Sequence, residues 1–153
     1  MDPSQKLMRR CIEIADACVE NDELPFGSLL ALNNNIVIES GNMTNSTRDV
    51  TNHAEILVLR KAQSKFGKDL SQYALYSNCE PCAMCAFMIR ELRVGTVVFG
   101  TRSPIMGGYS QWDILQSTAL ETLSKFYGKP PRIIGGYVEA ETDRAFPASE
   151  AEG

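Results

Sequence analysis

The chain has a single histidine, His53, so any imidazole chemistry must pass through that residue. Apolar runs are short, and none approaches the length of a membrane span. The start Met1-Asp2-Pro3-Ser4 lacks the charge and the apolar stretch of a signal peptide, so the expected place is the cytoplasm. Cysteines number five (Cys11, Cys18, Cys79, Cys82 and Cys85), too few and too odd for a disulfide framework in an intracellular-looking chain. Reduced thiols able to bind metal are expected instead. Basic excess is also missing. Net charge is −4, and Glu139 to Gly153 holds four glutamates and one aspartate against Arg144 alone. A nucleic-acid clamp usually carries a basic face, so this balance argues against a polyanion partner. Neither repeats nor a linker interrupt the sequence, and residues 1–153 are read as one domain. Hydrophobic content of 44% and charged content of 22% suit an ordinary globular core.

What is present is a regular alternation of strand and helix patterns. Leu7, Met8, Cys11, Ile12, Ala15, Cys18 and Val19 form a helical stripe over Ser4 to Glu20. Ser28–Leu32 and Ile36–Glu39 read as strands joined by Asn33-Asn34-Asn35, since asparagine tolerates the left-handed turn region. Thr51-Asn52 supplies a cap ahead of a helix from His53 to Lys65. Tyr73–Ser77 is a strand, and Cys82–Glu91 is a helix with Pro81 just ahead of its first turn. Val94–Gly100 is an apolar, β-branched strand of the buried kind. A helix over Asp113–Phe126 and a fifth strand over Arg132–Val138 complete the pattern. Together these imply a three-layer α/β/α sandwich around a mixed five-stranded sheet.

The chemistry concentrates in two short motifs. His53-Ala54-Glu55 is followed by Pro81-Cys82-Ala83-Met84-Cys85. Two thiolates and one imidazole fill three corners of a tetrahedral zinc site and leave the fourth for water, which separates a catalytic zinc from a structural one. One Zn2+ per chain, held by His53, Cys82 and Cys85, is therefore expected. Both motifs fall at helix starts, where free N–H groups favour thiolate over thiol. Two thiolates neutralise the ion, so its water is acidified less than at a three-histidine site and an adjacent base is needed. Glu55 is that base, placed to move protons to the ring nitrogen and the leaving amine.

The paired motif H-x-E…P-C-x-x-C is the known signature of zinc deaminases acting on nucleobases. With Pro25-Phe26-Gly27, Gly41-Asn42-Met43-Thr44 and Val97-Val98-Phe99-Gly100, it makes the chain resemble the cytidine-deaminase-like superfamily, on the branch of guanine deaminases and tRNA adenosine deaminases. The resemblance covers roughly residues 5 to 105 and implies hydrolytic release of ammonia from an amino-substituted ring. It also implies a substrate hydrogen bond from Asn42. Phe26 is a candidate apolar wall, Ala54 a further substrate contact, and Trp112, Tyr137 and Phe146 are candidates for a closing lid. Family members are usually dimers or higher oligomers. A homodimer through the helix Cys82–Glu91 is expected, because Met84, Ala86, Phe87, Met88 and Ile89 are more than one helix face can bury.

Bland readings stand beside these. Cys82 and Cys85 suit a redox pair, and Cys79 could close a structural zinc site. Asn42 could end a hairpin, Phe26 could be core, and Trp112 could anchor the helix that follows it. Three functions compete: deamination of a free base or nucleoside, tRNA adenosine deamination, and a non-catalytic zinc or redox module. Glu55 argues against the last. The Cys79-Glu80-Pro81-Cys82 stretch is similar to guanine-type members, whereas tRNA editors usually show leucine first, and the acidic end repels a polyanion. The expected partner is therefore a small nucleobase or nucleoside, guanine-type purines leading.

Overall fold

A computed structural model describes residues 1–145. Its elements are α1 (Gln5–Glu20), β1 (Gly27–Leu32), β2 (Asn35–Gly41), α2 (Ala54–Phe66), β3 (Ala74–Cys79), α3 (Ala83–Glu91), β4 (Thr96–Thr101), β5 (Arg132–Ile134) and the short α4 (Glu139–Thr142). The strands form one sheet in the order β2-β1-β3-β4-β5. β1 runs antiparallel to both β2 and β3, while β3, β4 and β5 are parallel. The mixed sheet expected from the alternation is therefore present.

Period-two geometry sends neighbouring side chains to opposite faces. Leu30, Leu75, Val97 and Phe99 pack against Val58, Leu59 and Ala62 of α2 and Ala86 and Ile89 of α3. Leu29, Ala31, Tyr76 and Val98 pack against Leu7, Met8 and Cys11 of α1. Both faces are covered, which is why the central strands read as continuous apolar runs rather than as alternation. Among the described residues, no helix is long and apolar enough to cross a membrane.

Local chemistry explains most boundaries. Ser4 caps α1, its Oγ accepting from the Leu7 N–H. Asn33 and Asn34 take φ of 51° and 62°, the left-handed pair that a tight hairpin requires.

Three expectations are corrected. Thr51-Asn52 does not cap α2: His53 is the N-cap residue, Thr51 bonds Asp49, and the Asn52 side chain bonds Thr47 and Arg60. The strand over Arg132–Val138 stops at Ile134, where Gly135 and Gly136 follow and Gly136 turns to φ +70°. The helix over Asp113–Phe126 is absent. Turns and a 3₁₀ segment, Ala119–Leu123, replace it. Arg90, a buried cation at the end of α3, braces the start of this segment. Its guanidinium takes the carbonyls of Ile114 and Ser117 at 2.7 Å each and that of Gly128 at 2.9 Å. Those carbonyls are satisfied by Arg90, and others in the segment by turn bonds such as Glu121 N–H to Thr118 and Phe126 N–H to Leu123.

Candidate metal centre and cavity

β3 ends at Cys79, and both motif helices begin beside that end of the sheet. His53 and Cys82 are the N-cap residues of α2 and α3, and neither side chain caps its own helix. Each is therefore free to turn toward the other. His53 Nδ1 lies 3.5 Å from Cys82 Sγ and 3.7 Å from Cys85 Sγ, and the two sulfurs are 3.6 Å apart. Zinc in tetrahedral geometry, with bonds of about 2.3 Å to sulfur and about 2.0 Å to nitrogen, sets sulfurs about 3.8 Å apart and sulfur from nitrogen about 3.5 Å. The triangle thus has the size that the ion demands. Among the described residues, these three form the cluster able to hold a metal. Cys79 is outside it.

The electrostatics single out Cys82 as the thiolate of the pair, the Cys85 thiol being pushed well up, first by its hydrogen bond with Cys82 and then by burial. The Cys82 thiol is brought down to about 4, first by the hydrogen bond from the Cys85 thiol and then, against burial, by His53 and the Cys85 backbone N–H. The imidazole is raised, first by its bond with Cys82, and the Val50 backbone adds another hydrogen bond to the ring. Such a partner orients a ligating histidine. The Cys79 thiol is pushed up to about 12 by burial and stays protonated. Glu55 is buried in the first turn of α2, and burial followed by the Cys82 charge lifts its carboxyl to about 7.

A cavity of about 280 Å³ opens over the cluster. Phe26, Asn42, His53, Glu55 and Cys82 line it, as do Leu24, Thr44, Val50, Cys79, Glu80, Ser103 and Met106. Phe26 is positioned by Asn78, whose Oδ1 accepts from the Gly27 N–H at 2.8 Å while Nδ2 donates to the Pro25 carbonyl at 3.0 Å. Asn42 is buried, and its Nδ2 donates to Thr44 Oγ1 and toward Glu23.

Other expected contacts do not meet the cavity. Ala54 is buried in the core and Trp112 is half exposed, and neither is among the lining residues. Tyr137 packs on the α1 side of the sheet, where its hydroxyl donates to the Pro3 carbonyl. Phe146 lies outside the described residues.

Two buried carboxylates escaped the sequence reading as organisers of the rim. Glu80 accepts from the backbone N–H groups of Ser103, Tyr109 and Ser110 and from the Ser110 hydroxyl. Glu23 accepts from those of Asn45 and Ser46. Burial works to raise the Glu23 carboxyl, but the Ser46 and Asn45 N–H groups prevail and hold it below the usual range. The only signal in the sequence was an acidic residue just before each of Leu24-Pro25 and Pro81-Cys82.

Residues 1–101 match the model of the cytidine and deoxycytidylate deaminase zinc-binding region. The chain belongs to this zinc-binding deaminase family. Its relatives include the tRNA-specific adenosine deaminase of Agrobacterium fabrum (strain C58), 35% identical over 129 residues, which are 80% of this chain and 78% of that protein. A solved structure from work on A-to-I editing by tRNA:A34 deaminases at the wobble position of transfer RNA superposes with a TM-score of 0.77. It is 30% identical, and the match covers 94% of this chain and 100% of that one. The guanine deaminase of Bacillus subtilis superposes with a TM-score of 0.63 at 29% identity, covering 67% and 66%. The deaminase is thus similar over more of its length to tRNA editors than to that guanine deaminase, which reverses the order expected from the Cys79-Glu80 stretch and the acidic end.

Proposed function

We propose that the chain is a hydrolytic deaminase of adenosine in tRNA, with His53, Cys82 and Cys85 as its zinc ligands and Glu55 as its proton carrier. The observation that carries the reading is the 35% identity across 80% of the chain to a tRNA-specific adenosine deaminase. The rim of the cavity supports it. Leu24, Val50 and Met106 line the cavity while remaining 49%, 82% and 47% exposed. An apolar mouth open to solvent suits a base presented by a longer chain, because bases taken out of their stack are held between apolar and aromatic side chains.

When bound, zinc supplies Lewis acidity and an acidified water. The remaining work belongs to the chain. Glu55, buried beside the ligands, carries the two protons of the attacking water in turn: the first goes to the ring nitrogen, and the second, given up as the added oxygen becomes a carbonyl, goes to the leaving amine. Asn42 accepts a hydrogen bond from the substrate through Oδ1, and Phe26 packs on the ring. The net exchange replaces the exocyclic amine with oxygen from water and releases ammonia.

A free guanine-type base is the second reading, favoured by the likeness to the Bacillus subtilis guanine deaminase. Ammonia release with tRNA, free bases and nucleosides offered in parallel separates the two. Inosine formation in tRNA is expected. Turnover of free guanine with tRNA untouched would install the second reading.

We also propose that two copies pair through α3, where Ala86 and Ile89 are buried in the core but Phe87 is 43% exposed and Met84 and Met88 are half buried.

A further inference from the structure

Glu23 is neither a member of the metal cluster nor itself a lining residue of the cavity, yet it is buried and acidic. A buried carboxylate is costly unless its charge is used. Oε1 accepts from the Ser46 N–H at 2.6 Å, and Oε2 accepts from the Asn45 N–H at 3.1 Å. The same Oε2 faces Asn42 Nδ2 at 3.5 Å, the long end of the hydrogen-bond range. Thr44 Oγ1 is nearer to that nitrogen, at 3.1 Å.

The two partners of Nδ2 are not equivalent. A hydroxyl donates or accepts as required, so Thr44 is satisfied by either orientation of the Asn42 amide. A carboxylate accepts only. Turning the amide over would set Oδ1 against the negative charge of Glu23. The backbone of Asn42 is fixed independently, its N–H donating to the Phe26 carbonyl while the next N–H, of Met43, donates to the Asn52 carbonyl. The side-chain amide is therefore the free variable, and Glu23 decides its polarity.

We infer that Glu23 is a positioning residue that sets the hydrogen-bond polarity of the substrate cavity, holding Asn42 with its Oδ1 acceptor toward the substrate so that a donor group is selected there. The inference rests on the proposed role of Asn42 as a substrate contact. In Glu23→Gln, Oε1 can still serve the Ser46 N–H, which places an NH2 group beside Asn42. That group accepts no bond from Nδ2 and favours the turned amide. The cavity then presents a donor where it had an acceptor.

The test uses full-length, zinc-loaded protein with tRNA, adenosine and guanine, and kinetics are read under single-turnover conditions on whichever releases ammonia. Glu23→Gln is expected to keep its zinc and fold, and to lose about tenfold or more in kcat/KM, the scale of one misdirected hydrogen bond. In an Asn42→Ala background the same change should have almost no further effect, since Glu23 acts through Asn42. The 15N-resolved side-chain amide of Asn42, assigned by its loss in Asn42→Ala, should shift or broaden in Glu23→Gln even without substrate. Additive losses in the double variant, or an unmoved Asn42 amide, would overturn the inference and leave the substrate contact intact. Unchanged kinetics in Asn42→Ala would instead overturn the substrate contact, and the inference with it.

Discussion

Glu80 and Ser110, thirty residues apart, are joined twice: the carboxylate accepts from both the backbone N–H, at 2.9 Å, and the hydroxyl of Ser110. With Ser103 and Tyr109 also bonded to it, Glu80 gathers the loop after β4 over the start of α3. Gly107 makes the approach feasible, because a Cβ there would collide with the Glu80 carboxylate. Glu80→Ala should therefore leave one buried and two part-buried N–H groups without their acceptor and cost about 1–3 kcal/mol. Gly107→Ala should destabilise as well. Denaturant melts of both variants check this, and a Glu80→Ala protein as stable as the parent would show that the loop anchors elsewhere.

The metal assignment separates the three cysteines nearest the cavity. Cys82→Ser and His53→Ala should purify with much less than one zinc per chain, while Cys79→Ser should keep the parent's content. Elemental analysis reads this directly. Zinc lost with Cys79 and kept without Cys82 would reverse the ligand set.

Glu55→Gln preserves shape and removes the exchangeable proton. Zinc and fold should remain, while turnover should fall by about 10²–10⁴-fold, the range of general acid–base contributions. Turnover near that of the parent would eliminate Glu55 as the proton carrier.

Arg10 and Glu39 form a forked pair, with contacts of 2.9 and 2.7 Å, at the surface between α1 and β2. The Arg10 hydrogen bond holds the Glu39 carboxyl below its usual range. A depressed carboxyl pKa contributes stability above the unfolded value, about 4.3, and loses it as pH falls through the folded value. Both side chains are more than a third exposed, so the contribution is no more than about 1 kcal/mol. Glu39→Gln should be slightly less stable than the parent at pH 7, and the gap should close as pH drops below about 4. A gap that persists at pH 3 would assign the loss to packing.

The proposed pairing through α3 predicts a dimer by sedimentation at micromolar concentration, shifted toward monomer by Phe87→Asp. A monomeric parent protein would leave the exposed Phe87 without that explanation.

The parts legible in the sequence were those whose signal is local. His53, Cys82 and Cys85 carry their chemistry in residue type and spacing, and the structure brings their donor atoms within bonding distance of one ion. Buried strands and the Asn33-Asn34 turn were legible for the same reason. The segment from Asp113 to Phe126 carries a helical pattern but bonds through the Ile114 and Ser117 carbonyls to Arg90, a residue on another element, and such a partner leaves no local signal. The work of Glu23 and Glu80 was hidden because their partners are mainly backbone N–H groups, which every residue but proline has. The expected order of substrates rested on Cys79 and on net charge, and the likeness to a tRNA-specific adenosine deaminase over 80% of the chain weighs against that order. The Cys79 thiol lines the cavity only as a protonated wall, and a charge sum says nothing of local surface.

Because Glu23 and Glu80 hold the two rim loops largely by main-chain groups, the exposed apolar side chains on those loops take no part in that anchoring. Val50, Ile105 and Met106 stand out into solvent there. Exchanging these three for residues of quite different character should leave the metal ligands and Glu55 where they are. A single scaffold of this kind can be retuned from one amino-substituted ring to another by changes confined to its mouth, and libraries aimed at new substrates belong there rather than in the core.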